Sequence, residues 1–218
     1  MSLVLYVHPF AMYCWKPLIA LYERELPFTA KLVEDRAELA ALWPPASIPV
    51  LIDGDTVVPE SSAIVEYLDL RGGAPPLVPE DPAVAVLARA WDRVMDGYLT
   101  TPVQKIVGDA LRPADDTDPF GVEQAHTTLD LAYATLEGQL SGHGQSCWFV
   151  GDGFTLADCS AALALHYADV LHALDRAAHP ALGGYYDRLL ARPSVARVID
   201  EARPYRELFP LPWPAHVS

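Results

Sequence analysis

Two patterns of apolar spacing run along this chain, and the change from one to the other divides it. Leu3 to Val7 is a short apolar run of strand length, and roughly residues 13–25 follow as a helix. Lys16-Pro17 fits that helix only in its first turn, since a deeper proline removes a donor and clashes with the preceding turn. Phe28 to Leu32 reads as a second strand, parallel to the first if the connection is a βαβ unit. Ala37 to Leu42 is a short helix cut off by Trp43-Pro44-Pro45. Val50-Leu51-Ile52, the turn Asp53-Gly54-Asp55 and a further short strand then form a hairpin that runs into the helix Ser61–Leu68. From Asp81 onward strand signals vanish. Pro82 to about Leu111 repeats apolar residues at helical spacing (Val84, Leu87, Ala88, Trp91, Val94, Met95), and Glu123 to Leu140 does the same beyond an acidic loop at 112–120. Trp91 and Met95 are expected in the core. Gly72-Gly73-Ala74-Pro75-Pro76 concentrates flexible and helix-breaking residues at the boundary. The pattern predicts an α/β unit over 1–74 followed by an all-α unit over 81–218.

The strongest local signal in the second half is Phe154-Thr155-Leu156-Ala157-Asp158. Thr155 fits an N-cap, Asp158 the reciprocal position of a capping box, and Phe154 with Cys159 a hydrophobic staple. The helix that follows is apolar nearly all round and is therefore expected at the centre of its domain. His166 on that helix reads as a hydrogen-bonded core residue.

Composition narrows the partners. The 218 residues are 51% apolar, enough for a sizeable core, and carry a net charge of −14, which makes nucleic acid and anionic membranes poor partners. No signal-peptide pattern opens the sequence and no apolar run is long enough to span a bilayer, so a cytoplasmic location is expected. Cys14, Cys147 and Cys159 share no close spacing, and neither do the remaining histidines, His143 among them; no disulfide framework or metal site is indicated.

Chemistry concentrates at Ser47-Ile48-Pro49-Val50 and at Val58-Pro59-Glu60-Ser61. Ile48-Pro49 entering a strand is a candidate cis peptide, and such a bond would turn the Ile48 backbone outward, where an extended peptide can pair with it. Glu60 and Ser61 open a helix whose free N–H groups and dipole favour a carboxylate. An acid and a hydroxyl beside those groups can hold both charges of an amino acid's α-carbon end. Taken alone, Glu60-Ser61 is also an ordinary N-cap.

Together, Ile-Pro-x-Leu, the hairpin, Glu-Ser and the Ile64-x-x-Tyr67-Leu68 helix resemble the glutathione-binding half of cytosolic glutathione S-transferases. The segment Phe149 to Asp158 before the central helix, with Thr155-Leu156-Ala157-Asp158 at its end, and the ending Tyr185-Tyr186 to Arg192-Pro193-Ser194-Val195 resemble that family's helical half. The resemblance covers essentially the whole chain. It implies a thioredoxin-like N-terminal domain, an all-helical C-terminal domain, glutathione as cosubstrate, a small apolar electrophile as second substrate and a homodimer. It further implies that Ile48 pairs with the cysteinyl part of glutathione and that Glu60 and Ser61 hold the γ-glutamyl end. Phe10, Met12 and Tyr98 would wall the electrophile pocket, with the tail Leu208 to Pro214 either joining them or sealing the helical domain.

The family's chemistry is thiolate activation. A free thiol has a pKa of about 8.5, and lowering it by two units takes roughly 2.7 kcal/mol of preferential stabilisation. A hydroxyl hydrogen bond supplies about 1.5–3 kcal/mol and a helix N-terminus about 0.3–1. Here the sequence departs from the family pattern, because Ala11 stands where the resemblance implies serine or cysteine. Tyr13 is the leading donor; the alternatives are the backbone N–H groups of Ala11, Met12 and Tyr13 alone, then Cys14, Tyr6 and His8. Ala11 also leaves open a non-catalytic protein that holds glutathione or an apolar ligand on the same fold.

Overall fold

In the computed structural model the described residues are 3–72, 74–142 and 148–217; His143 and Cys147 lie outside them. The N-terminal part runs β1 (Leu3–Val7), α1 (Met12–Glu23), β2 (Phe28–Leu32), α2 (Arg36–Leu42), β3 (Val50–Asp53), β4 (Thr56–Pro59) and α3 (Ser61–Asp69). The sheet order is β2-β1-β3-β4, with β1 and β2 parallel and the other pairs antiparallel. Alternation along β1 decides what each face covers. Leu3, Leu5 and Val7 join the main core with α1 and α3, while Tyr6 meets Leu39 of α2 and Val50 on the opposite face. This is the expected thioredoxin-like arrangement.

The rest is helical: α4 (Pro82–Met95), a π-helical turn at Asp96–Thr100, α5 (Thr101–Ala110), α6 (Pro119–Ser141), α7 (Leu156–Leu171), α8 (Pro180–Leu190) and α9 (Pro193–Ala202). Among the described residues no helix is long and apolar enough to cross a membrane. Every residue of α7 from Leu156 to Val170 is buried, as its all-round apolarity implies. Asp158 anchors its start: it accepts from the Thr155 N–H at 2.8 Å and the Thr155 hydroxyl at 2.9 Å. It also accepts from the Phe149 N–H at 2.9 Å and the Tyr185 hydroxyl at 2.6 Å. His166 is buried beside the Tyr186 hydroxyl, 3.4 Å from Nδ1, and its burial, then Arg206, push its pKa down to about 3. Met95 is buried, and Trp91 packs partly buried with its ring 4.8 Å from Phe149.

Two elements differ from the sequence expectation. The single helix expected over 82–111 is interrupted by the π turn. Pro102 has no N–H to offer the carbonyl one turn back, and the Thr100 and Thr101 hydroxyls donate to the Met95 and Asp96 carbonyls at 3.3 and 2.9 Å. Pro17 lies in the second turn of α1, not the first. The helix continues through it because α1 is wedged among α3, α7 and α9, so packing outweighs the lost hydrogen bond. The segment after α3 is held by Arg24, which donates to the carbonyls of Gly72, Ala74 and Pro75 and pairs with Asp69 at 3.0 Å.

Candidate functional site

A cavity of about 700 Å³ opens between the N-terminus of α3 and the helical part. Its lining includes Tyr13 from α1, Ile48 and Pro49 before β3, Glu60 to Ala63 at the start of α3, and Arg93, Asp96 and Gln104 from the helical side. Four sequence-predicted residues, Tyr13, Ile48, Glu60 and Ser61, therefore share one cavity.

Local structure explains their presentation. The Ile48-Pro49 bond is cis. Glu60 takes the N-cap position of α3 with φ of 68°, a left-handed conformation that costs a non-glycine residue of order 1 kcal/mol. Its side chain caps nothing and is exposed, so the ordinary-cap interpretation does not describe it. Ser61 is buried, and among the described residues its hydroxyl has no hydrogen-bond partner. The first-turn N–H groups of α3 point out of the helix end, as at any helix N-terminus. An unused acid, an unused hydroxyl and a set of unused backbone donors thus meet at one end of the cavity.

Tyr13 lines the same cavity. Burial, then the carboxylates of Asp96, Glu60 and Asp92, push its phenol up to about 12, against a smaller downward pull from Thr101. The phenol keeps its proton at neutral pH and can only donate to an anion. The Ala11 N–H is already given to the His8 carbonyl at 3.0 Å, which leaves Met12 and Tyr13 as first-turn backbone donors of α1.

The remaining candidates lie elsewhere. Cys14 is fully buried, and burial pushes its thiol up to about 12, which suits a core residue and not a nucleophile. The Tyr6 hydroxyl donates to Glu38 at 2.9 Å on the far face of the sheet. His8 turns its ring towards Tyr205, 4.8 Å away, and accepts from the Phe10 N–H. Phe10, Met12 and Tyr98 do not line this cavity. Phe10 packs edge-on against Tyr167 and Phe209, with Trp213 6.0 Å away. The C-terminal tail thus seals this aromatic cluster. Met12 packs on the core one helix position, about 100°, from Tyr13, and Tyr98 is about half exposed. The wall facing Tyr13 is polar, made by Arg93, Asp96 and Gln104.

Sequence reasoning missed a buried polar cluster behind the cavity. Lys16 is fully enclosed and donates to Ser62 Oγ at 3.0 Å, Asp92 Oδ1 at 2.7 Å and Asp96 Oδ1 at 3.0 Å. The Ser62 and Ser160 hydroxyls donate to Asp92 at 2.9 and 2.6 Å. Burial pushes the Asp96 carboxyl up while Lys16 pulls it down. A signal was present: Asp92 falls on the same helical stripe as the buried Ala85, Ala88 and Met95, and Lys16 interrupts the apolar run of α1.

Comparison with known proteins agrees with this geometry. Residues 10–71 match the N-terminal domain family of glutathione S-transferases and residues 119–188 match its C-terminal domain family. A crystal structure of a glutathione S-transferase from Methylobacterium radiotolerans, in complex with glutathione sulfonate, is 31% identical. It aligns over 91% of this chain and 95% of its own, with a TM-score of 0.79. Glutathione S-transferase GstB of Escherichia coli is 28% identical over 84% of this chain and 91% of its own length. A probable maleylacetoacetate isomerase of Vibrio cholerae is 29% identical over 94% and 98%. With both of its halves matched in order and a relative of this identity along nearly its whole length, the chain belongs to the glutathione S-transferase family and is a glutathione S-transferase-like enzyme.

Proposed function

We propose that the chain binds reduced glutathione in the cavity between α3 and the π turn and directs its thiolate at a small electrophile. The observation that carries this reading is the convergence of Tyr13, Ile48, Glu60 and Ser61 on one cavity, with the Ser61 hydroxyl and the α3 N–H groups unused by the protein. Glu60 and Ser61, with the helix N-terminus, suit the charged γ-glutamyl end. The Ile48 backbone suits the cysteinyl amide, and the Tyr13 phenol suits the sulfur. The α/β unit 1–74 thus serves glutathione and the helical unit 81–218 the second substrate, in a cytoplasmic homodimer. Conjugation, isomerisation and reductive cleavage all start from the same thiolate. Holding both reactants in one cavity lowers the barrier by removing the entropy of their encounter.

An ultraviolet difference titration of bound glutathione, following thiolate absorbance against pH, tests the reading. A thiol pKa well below the free value of about 8.5 is expected; an unshifted value refutes thiolate activation. In the same assay Ser61→Ala should weaken glutathione binding by roughly 1–3 kcal/mol through the lost hydrogen bond. Unchanged affinity removes Ser61 from the site.

A further inference from the structure

Lys16 is an unexpected residue to find with no exposed surface in the apolar middle of α1. Its three N–H donors are each matched by one partner, Ser62, Asp92 and Asp96. Burying such an ion costs several kcal/mol, and its attraction to buried carboxylates only about repays that. Stability alone therefore does not account for a lysine where an apolar side chain would pack.

Its partners sit on opposite walls of the cavity. Ser62 belongs to the first turn of α3, next to Ser61, and Asp96 begins the π turn on the helical side; both line the cavity. α3 packs on α1 and α4 on α7, and α1 packs in turn on α7, so the two walls reach each other through two intervening helices and a shared apolar core. Outside the cluster, α3 and α4 are joined by the exposed pair Arg89–Glu66, which is screened by solvent and worth little. Asp92 continues the bridge to Ser160 of α7 at 2.6 Å, so one ammonium ties α1, α3, α4 and α7 together behind the cavity.

We propose that Lys16 is a positioning residue for glutathione. Its ammonium sets the distance between the first turn of α3 and Asp96, so that Ser61 and the α3 N–H groups address the same ligand as the opposite wall. The inference rests on the proposed glutathione site.

The test is a calorimetric titration with reduced glutathione of the wild type, Ser61→Ala, the double variant Lys16→Met/Asp92→Asn, and the triple variant combining them. The double variant removes the ion together with its fully buried counter-ion Asp92; Asp96, 18% exposed, keeps contact with solvent and with Arg93 at 3.9 Å. Its glutathione Kd should rise at least about tenfold, and Ser61→Ala should cost far less in that background than in the wild type. A merely structural role would lower the melting temperature and leave the Ser61 effect intact. Should the double variant fail to fold, Asp96→Asn, which keeps the Lys16–Asp92 pair, should still raise the Kd severalfold. A double variant, or in its absence Asp96→Asn, that binds within twofold of the wild type overturns the role of Lys16. An unchanged Ser61 cost in the double variant does the same. Wild-type protein that does not bind glutathione, or Ser61→Ala that binds equally well, instead overturns the glutathione site, and these outcomes appear in arms that leave Lys16 intact.

Discussion

Replacing Asp158 by alanine tests how the helical half is held together. The carboxylate has no exposed surface and accepts four hydrogen bonds, from the Phe149 and Thr155 N–H groups and the Thr155 and Tyr185 hydroxyls. In the alanine variant the two hydroxyls can turn toward other acceptors, but the backbone donors cannot. The Thr155 N–H lies in a buried residue at the N-cap of α7, where a stranded donor costs about 1–3 kcal/mol. The second backbone bond and the two strong hydroxyl bonds add roughly 1–3 kcal/mol more. The favourable charge at the helix N-terminus is lost as well, worth about 0.3–1. Relief of the cost of burying the carboxylate offsets part of this. The net loss is about 4 kcal/mol, a large share of the 5–15 kcal/mol typical of a folded domain. For a chain of this length it corresponds to a fall of roughly 8–16 °C in the melting midpoint. The assay is urea unfolding at pH 7 followed by far-ultraviolet circular dichroism, with the slope checked for constancy before midpoints are compared. A loss under about 1 kcal/mol would mean that the stranded donors find other partners, and the account of Asp158 as the anchor of α7 would be wrong.

Three further outcomes are expected. Tyr13→Phe should lower turnover while glutathione affinity stays within a few fold, because only the donor to the sulfur is removed; full activity would assign activation to the Met12 and Tyr13 N–H groups. His166 titrates near 3 in the folded chain, owing first to burial, and near 6.5 when unfolded. As pH falls below about 6.5 the unfolded chain takes up a proton that the native state refuses, so the stability present above that pH is progressively lost towards about 3. The loss is up to about 5 kcal/mol. The stability of His166→Gln should therefore fall less steeply between pH 6.5 and 4, and a parallel profile would refute the assignment. Alkylation mapped by mass spectrometry should leave Cys14 and Cys159 unmodified in the native protein and label both after unfolding, since both are fully buried. Rapid native labelling of Cys14 would contradict its place in the core.

Elements whose cause is local are legible in the chain alone. Short apolar runs and helical spacing mark the strands and helices, Thr155 and Asp158 mark the start of α7, and Ile48-Pro49 with Glu60-Ser61 marks part of the cavity. Each is a signal carried by neighbouring residues, because turns, caps and amphipathic stripes are closed by hydrogen bonds a few positions apart. Features that depend on distant segments meeting emerge only on packing. Lys16 and Asp92 are 76 positions apart and separately look like solvated charges; only the packing of both α1 and α4 on α7 buries them together. Phe10 is set just before a helix whose first turn faces two ways, and only the packing of α7 and the tail sends it into the aromatic cluster while Tyr13 turns to the cavity. Pro17 and Pro102 carry the same chemistry. One is absorbed in a packed helix, because the contacts of α1 with α3 and α7 outweigh the missing hydrogen bond, while the other accompanies a π turn.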